Sequence, residues 1–158
     1  ARARGIKPGR PGWPDEAYLS VAESSFGFLD LVATTDGVFW PIGNRDWYSH
    51  GEEKSLFDQQ PVEAATMAAA ALAGLELRGD NKYLVIFQRA HAWFYGRNSL
   101  QKPLAEVEVG ACFDGLQSTG INKIQGAEST LAYLWTELHS STAKQTQNAP
   151  KKTTVASA

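Results

Sequence analysis

The sequence predicts an all-α fold of antiparallel helix hairpins, arranged as a partial (α/α) toroid with its long loops on one face. Three observations lead there. Four segments carry apolar residues at the three-and-four spacing that lines one side of a helix. The second and third are joined by little more than Arg78-Gly79-Asp80, which forces an αα-hairpin. The remaining connections are long, aromatic and polar, and alternating short and long links gathers the long ones at one mouth.

The first helix is expected over Asp15 to Ala33. Pro14-Asp15-Glu16 places proline and acids at its start, and Tyr18, Ala22, Phe26, Leu29 and Val32 or Ala33 recur at helical spacing. Thr34-Thr35-Asp36-Gly37 ends it. The connection that follows, Thr34 to Gln60, holds a short extended piece at Val38 to Pro41 and then loses any helical period. A loop of that length is functional or disordered, and Phe39, Trp40, Trp47, Tyr48 and Phe57 argue against disorder.

Phe57 to Ala64 opens the second helix. Pro61 suits the first turn, Glu63 sits at the positive end of the dipole, and Asp58 or Gln60 can cap it. The alanine-rich run to Leu77 leaves few polar positions, as in a helix enclosed on most sides. Arg78-Gly79 closes it. Tyr83, Ile86, Phe87, Ala90 and Phe94 then define a third helix ending near Tyr95-Gly96. A second long connection, Arg97 to Gln125, contains a possible strand at Glu106 to Phe113. The fourth helix is expected from Gly126 to about His139, burying the face that carries Ala127, Leu131, Leu134, Trp135 and Leu138. Residues 1–14 read as an irregular basic lead-in, 15–139 as the domain and 140–158 as a disordered tail.

Composition narrows the function classes. All 17 carboxylates lie between Asp15 and Glu137 against eight Lys or Arg, a net charge of −9 for the body, while Arg2, Arg4, Lys7 and Arg10 crowd the start. So acidic a body repels a phosphate backbone, and no nucleic-acid partner is expected. Cys112 is alone and His50, His91 and His139 have no metal-ligand spacing, so neither disulfide, metal nor cofactor is expected. No apolar run approaches the ~20 residues of a membrane span, and no secretory pattern is present; a cytoplasmic setting is expected.

The stretch Gly110 to Trp135 feeds polar side chains from a glycine-rich loop onto the start of a helix, which is how a pocket is built. Together with W-P-I-G-N-R-D-W-Y (Trp40 to Tyr48), F-D-Q-Q-P-V-E-A (Phe57 to Ala64), W-F-Y-G-R-N (Trp93 to Asn98), C-F-D-G-L (Cys112 to Leu116) and Q-G-A-E-S-T-L-A-Y-L (Gln125 to Leu134), it resembles a known family. That family is the C-terminal α-helical-toroid region found behind family-4-type glycosyltransferase domains in bacteria, similar in style to six-hairpin glycosidases and epimerases. The likeness runs from about Trp40 to Leu138. One departure stands out: an Asn is expected before Gln125, where this chain has Ile124. The resemblance implies a carbohydrate-active setting and a saccharide ligand. It also implies that these residues are the last third to half of a longer toroid, partnered by its N-terminal remainder or by a glycosyltransferase domain.

Glycoside chemistry uses a proton donor and a second carboxylate. The candidates are Asp58, Asp114 and Glu128, with Asp46 and Glu63 behind them, and for each a capping, turn or ion-pair role competes. Trp40, Trp47 and Tyr48 offer flat rings on which a pyranose could stack, or a lid packed on the core. Asp46, Gln59, Gln60, Asn122 and Gln125 suit vicinal hydroxyls; for the amides, satisfying buried helix ends is the competing use. Trp93, Phe94 and Trp135 read as core, and Cys112 as a small buried residue. Two readings therefore stand, an acid–base glycoside enzyme and a non-catalytic accessory or sugar-binding module.

Overall fold

The computed structural model describes residues 16–148, with the backbone alone at 142 and 144–148. The basic lead-in and the last ten residues lie outside that range. Four helices appear, α1 (Glu16–Val32), α2 (Pro61–Arg78), α3 (Asn81–Phe94) and α4 (Ala127–Asn148). Between them lie six short strands, β1 (Thr34–Thr35), β2 (Val38–Phe39), β3 (Ala105–Glu106), β4 (Ala111–Cys112), β5 (Gly115–Gln117) and β6 (Gly120–Asn122).

The all-α toroid expectation is therefore corrected: the protein is mixed, with three antiparallel two-stranded sheets, β1–β2, β3–β4 and β5–β6. The physical cause is turn chemistry. Asp36 and Gly37, both at positive φ (50° and 72°), make the two-residue turn whose twist matches paired strands, so the segment after α1 doubles back as a hairpin. The strand expected over Glu106 to Phe113 is likewise two strands folded on each other through Gly110 at φ 68°.

The α2–α3 hairpin forms as its local signals dictate. Pro61 fills the first turn of α2, and Gly79 ends it in the left-handed conformation with its N–H on the Leu75 carbonyl. Asp80 then caps α3 by accepting from the Lys82 N–H at 2.9 Å. Ala64, Ala68, Ala71, Phe87, Ala90, Trp93 and Phe94 are almost or wholly buried and form the centre of the core. Gly74 sits where α2 meets α3; a Cβ there would stand 2.4 Å from the Tyr83 ring.

α4 packs on α2 and, more sparsely, on α3. It runs to Asn148, well past His139, so the part of the expected tail up to Asn148 is helix. Its buried side is Ser129, Ala132, Tyr133, Thr136, Ser140 and Ala143. This overturns the expected face: Leu131, Leu134, Trp135 and Leu138 point outward, with Leu131 66% and Leu138 70% exposed. The alanine surface of α2 is low, and small residues on α4 let the two backbones approach where leucines would hold them apart. Thr136 keeps its buried hydroxyl satisfied on the Ala132 carbonyl at 2.8 Å.

α1 is the least embedded helix, with Leu19 its one buried residue. Polar ties secure it. Arg78 grips both oxygens of Glu23 at 2.6 and 3.1 Å, Arg89 pairs with Asp30, and Lys54 donates to the Val32 and Trp40 carbonyls at 2.7 and 2.6 Å. A cation on the last carbonyls suits the negative end of the helix dipole. No helix among the described residues is long and apolar enough to cross a membrane.

The two long connections meet through one backbone pairing, in which Gln59 and Leu116 exchange N–H···O bonds of 2.9 Å in both directions. Gly115, at φ 151°, makes this possible, because a Cβ there would stand 2.2 Å from the Gln59 carbonyl oxygen. Gly115→Ala is expected to break the pairing and lower stability by about 3 kcal/mol or more, read as the urea midpoint; an unchanged midpoint would show that the pairing does not hold the loops.

Candidate functional site

Gln59 is the residue around which both loops close. It is fully buried, and its whole amide is engaged: Nε2 donates to the Leu56 carbonyl (2.9 Å) and Ser99 Oγ (2.7 Å), while Oε1 accepts from Trp93 Nε1 at 3.3 Å. No group of its side chain is left for a saccharide hydroxyl. Gln60 donates its backbone N–H to Glu63 Oε2 at 2.7 Å, the acid half of a capping box at the start of α2.

The three carboxylates named for catalysis stand in different surroundings. Asp114 Oδ1 accepts the Gly126 N–H at 2.7 Å, just ahead of α4, and a Cβ at Gly126 would stand 2.9 Å from that oxygen. Glu128 is exposed in the first turn of α4. Asp58 is the least satisfied. Its Oδ1 is buried with no hydrogen-bond partner among the described residues, and Arg45 Nη2 stands 4.0 Å away, open to solvent, where such a pair is worth little. The peptide bond preceding Asp58 is cis. Four cavities of 220 to 490 Å³ set against α1, α2 or α3 are lined by none of these three residues.

The proposed sugar-contacting residues divide. Trp47 is 98% exposed and Asp46 is exposed beside it. Trp40 is half-buried, its Nε1 on the Leu56 carbonyl at 3.3 Å, and Tyr48 and His50 lean on Phe28. Asn122 Oδ1 caps the turn by accepting the Ile124 N–H at 3.2 Å, and Gln125 donates to Glu106. Ile124 itself is exposed. Cys112 is buried, and burial pushes its thiol up to about 12, far from nucleophilic use. Trp93 and Phe94 are core as expected; Trp135 is not, and stacks instead on His139 at 4.1 Å on the outer side of α4.

One polar grouping has no signal in the sequence. His91 Nε2 meets Glu137 Oε2 at 2.8 Å, and the Tyr95 hydroxyl donates to the same oxygen. Burial pushes the Glu137 carboxyl up, but bonds from Tyr95 and His91 outweigh it and hold the group below its usual range. His91 and Tyr95 are a visible i, i+4 pair, yet nothing local indicates that Glu137 joins them. Glu63, a candidate already from the sequence, borders a cavity of about 400 Å³ with Phe26, Leu29, Phe39, Ile42 and Met67. Among the described residues no three or more His, Cys, Asp or Glu are grouped to hold a metal.

Burial raises Glu63 to about 7, against the smaller opposing effect of the Gln60 N–H. The folded state thus holds a proton that the unfolded chain has already released, and stability falls as pH rises from the ordinary carboxylate range towards 7. Glu63→Gln keeps an oxygen for the Gln60 N–H and removes the charge. It is expected to gain on the order of 2 kcal/mol over wild type at pH 8 and almost nothing at pH 5, measured by urea unfolding; a gain independent of pH would mean that Glu63 is not held neutral by burial.

Comparison with known proteins finds no family model that matches this chain, and no curated protein that matches it.

Proposed function

We propose that this chain is a non-catalytic accessory module of a carbohydrate-active protein, docking through the outer face of α4 onto a glycosyltransferase-type domain in the cytoplasm. One observation carries the reading: Leu131, Leu134, Trp135 and Leu138 form a continuous apolar stripe turned to solvent. Val107 and Val109, exposed in the turn between β3 and β4, add to the apolar surface. Contiguous apolar surface of this kind marks an interface, and Trp with Leu at its centre is the composition of a docking hot spot. The carboxylates support the same choice, because Asp114 and Glu63 bond backbone N–H groups at helix starts and Glu128 is exposed. The glycosyltransferase partner rests on the sequence resemblance.

A second reading has its own observation. Asp58 keeps an unpartnered oxygen, and the nearby loop offers Arg45, Asp46 and an almost fully exposed Trp47. These are the parts of a shallow saccharide platform, a ring to stack on and charged groups to orient hydroxyls.

For docking, the isolated chain is expected to associate with rising concentration in sedimentation velocity and to bind a hydrophobic dye. Leu134→Glu with Leu138→Glu should abolish both without moving the circular dichroism spectrum. A wild-type chain that stays monomeric and dye-free would defeat the docking proposal, and turnover of aryl glycosides lost in Asp58→Asn, Asp114→Asn or Glu128→Gln would defeat the non-catalytic one. For the platform, a thermal-shift screen of oligosaccharides should give hits that vanish in Trp47→Ala; hits unchanged by that substitution would remove Trp47 from the site.

A further inference from the structure

α3 and the tip of the β1–β2 hairpin share a cation-lined cavity. Val85, Gln88, Arg89 and Ala92 of α3, Arg97 just beyond it and Gly37 at the hairpin tip enclose about 270 Å³. No carboxylate lines it, in a body whose charge is otherwise strongly negative. Local chemistry here runs against the field of the rest of the molecule.

Each polar group in the lining has donor capacity left over. Arg89 gives Nη2 to Asp30, which holds the side chain in place, yet its Nε is buried with no acceptor among the described residues. Arg97 makes no ion pair among the described residues, although its backbone is fixed by an N–H bond of 3.0 Å to the Ala92 carbonyl. Gln88 adds a side-chain amide. At Gly37 no atom lies within 4 Å of the place a Cβ would take, so that corner is open.

Two guanidinium groups and an amide are a donor set for an oxyanion, since the planar fork of arginine matches paired oxygens. A carboxylate brings two oxygens; a phosphate monoester brings three, enough for three donor groups approaching from different residues. Val85 and Ala92 supply an apolar wall for the carbon side of the ester. The volume lies just under the usual range for small-molecule sites, about 300–1,000 Å³, which limits the ligand to a compact one. We propose that the cavity between α3 and the Thr34–Phe39 hairpin binds a small phosphate monoester through Arg89, Arg97 and Gln88. The site is independent of the docking face on α4.

The test is a titration of the whole chain, followed by amide NMR shifts, with glycerol 3-phosphate, inorganic phosphate and acetate as separate probes. Glycerol 3-phosphate is expected to saturate, to move the Gly37, Ala92 and Arg97 amides, and to bind more tightly than acetate. Arg97→Gln removes an exposed side chain, so its urea midpoint should match wild type while its affinity falls at least tenfold. Arg89→Lys keeps a cation for Asp30 but loses the planar guanidinium fork, and should weaken binding as well. Tighter binding of glycerol 3-phosphate than of inorganic phosphate assigns the wall a role, and equal binding would overturn the ester part of the proposal. Absence of saturation, equal affinity in Arg97→Gln, or acetate binding as well as phosphate would overturn the site itself.

Discussion

The side chain of Gln59 is the tie on which the tertiary arrangement depends. It lies just ahead of α2, takes the Trp93 indole from α3, gives one donor to Ser99 in the connection beyond α3 and another to Leu56, and pairs its backbone with Leu116. Segments separate in sequence are thereby fixed at one buried point. In a low-dielectric interior a fully satisfied amide of this kind specifies a unique arrangement, because any other packing would strand several polar groups at once. Gly115 is part of the same constraint, since only a residue without a side chain allows the Gln59 carbonyl so close.

Around that point the molecule is built of two unequal halves. The α2–α3 hairpin and α4 share the apolar core, with alanine, serine and threonine bringing α2 and α4 together. α1 is attached mainly by arginine–carboxylate pairs and by Lys54 on its last turn, and it leaves Tyr18, Val21 and Leu31 largely exposed. Exposed or half-exposed ion pairs are weak cement compared with apolar burial, so α1 is the element most easily displaced from the rest.

Polar residues that read as chemistry are mostly engaged in holding backbone. Asp114, Gln60, Glu63 and Asn122 all bond to main-chain groups or present their own. Capping and catalysis ask for the same residue types at the same loop–helix junctions, which is why the sequence could name Asp114 but not decide its role. Among the groups left with unused capacity are Asp58, Trp47, Arg89 and Arg97, and of these four Arg89 alone lies outside the motifs that carry the resemblance.

The sequence by itself determined the limits of the first three helices and the start of the fourth, which runs on to Asn148 instead of ending near His139. Pro61, Gly79 and Asp80 act through backbone geometry within a few residues, and α1, α2 and α3 lie within a residue or two of their expected limits. It also identified the stretches that come together, though as loops rather than paired strands. Tertiary structure decided which side of α4 faces inward. That helix carries two interleaved stripes, one large and one small, and hydrophobic periodicity favours the large one. The alanine surface of α2 selects the small one, because the distance between two helices is set by both partners and cannot be read from either alone. The same reason separates Asp114, a cap, from Arg89 and Arg97, whose common cavity exists only once the Gly37 hairpin folds against α3.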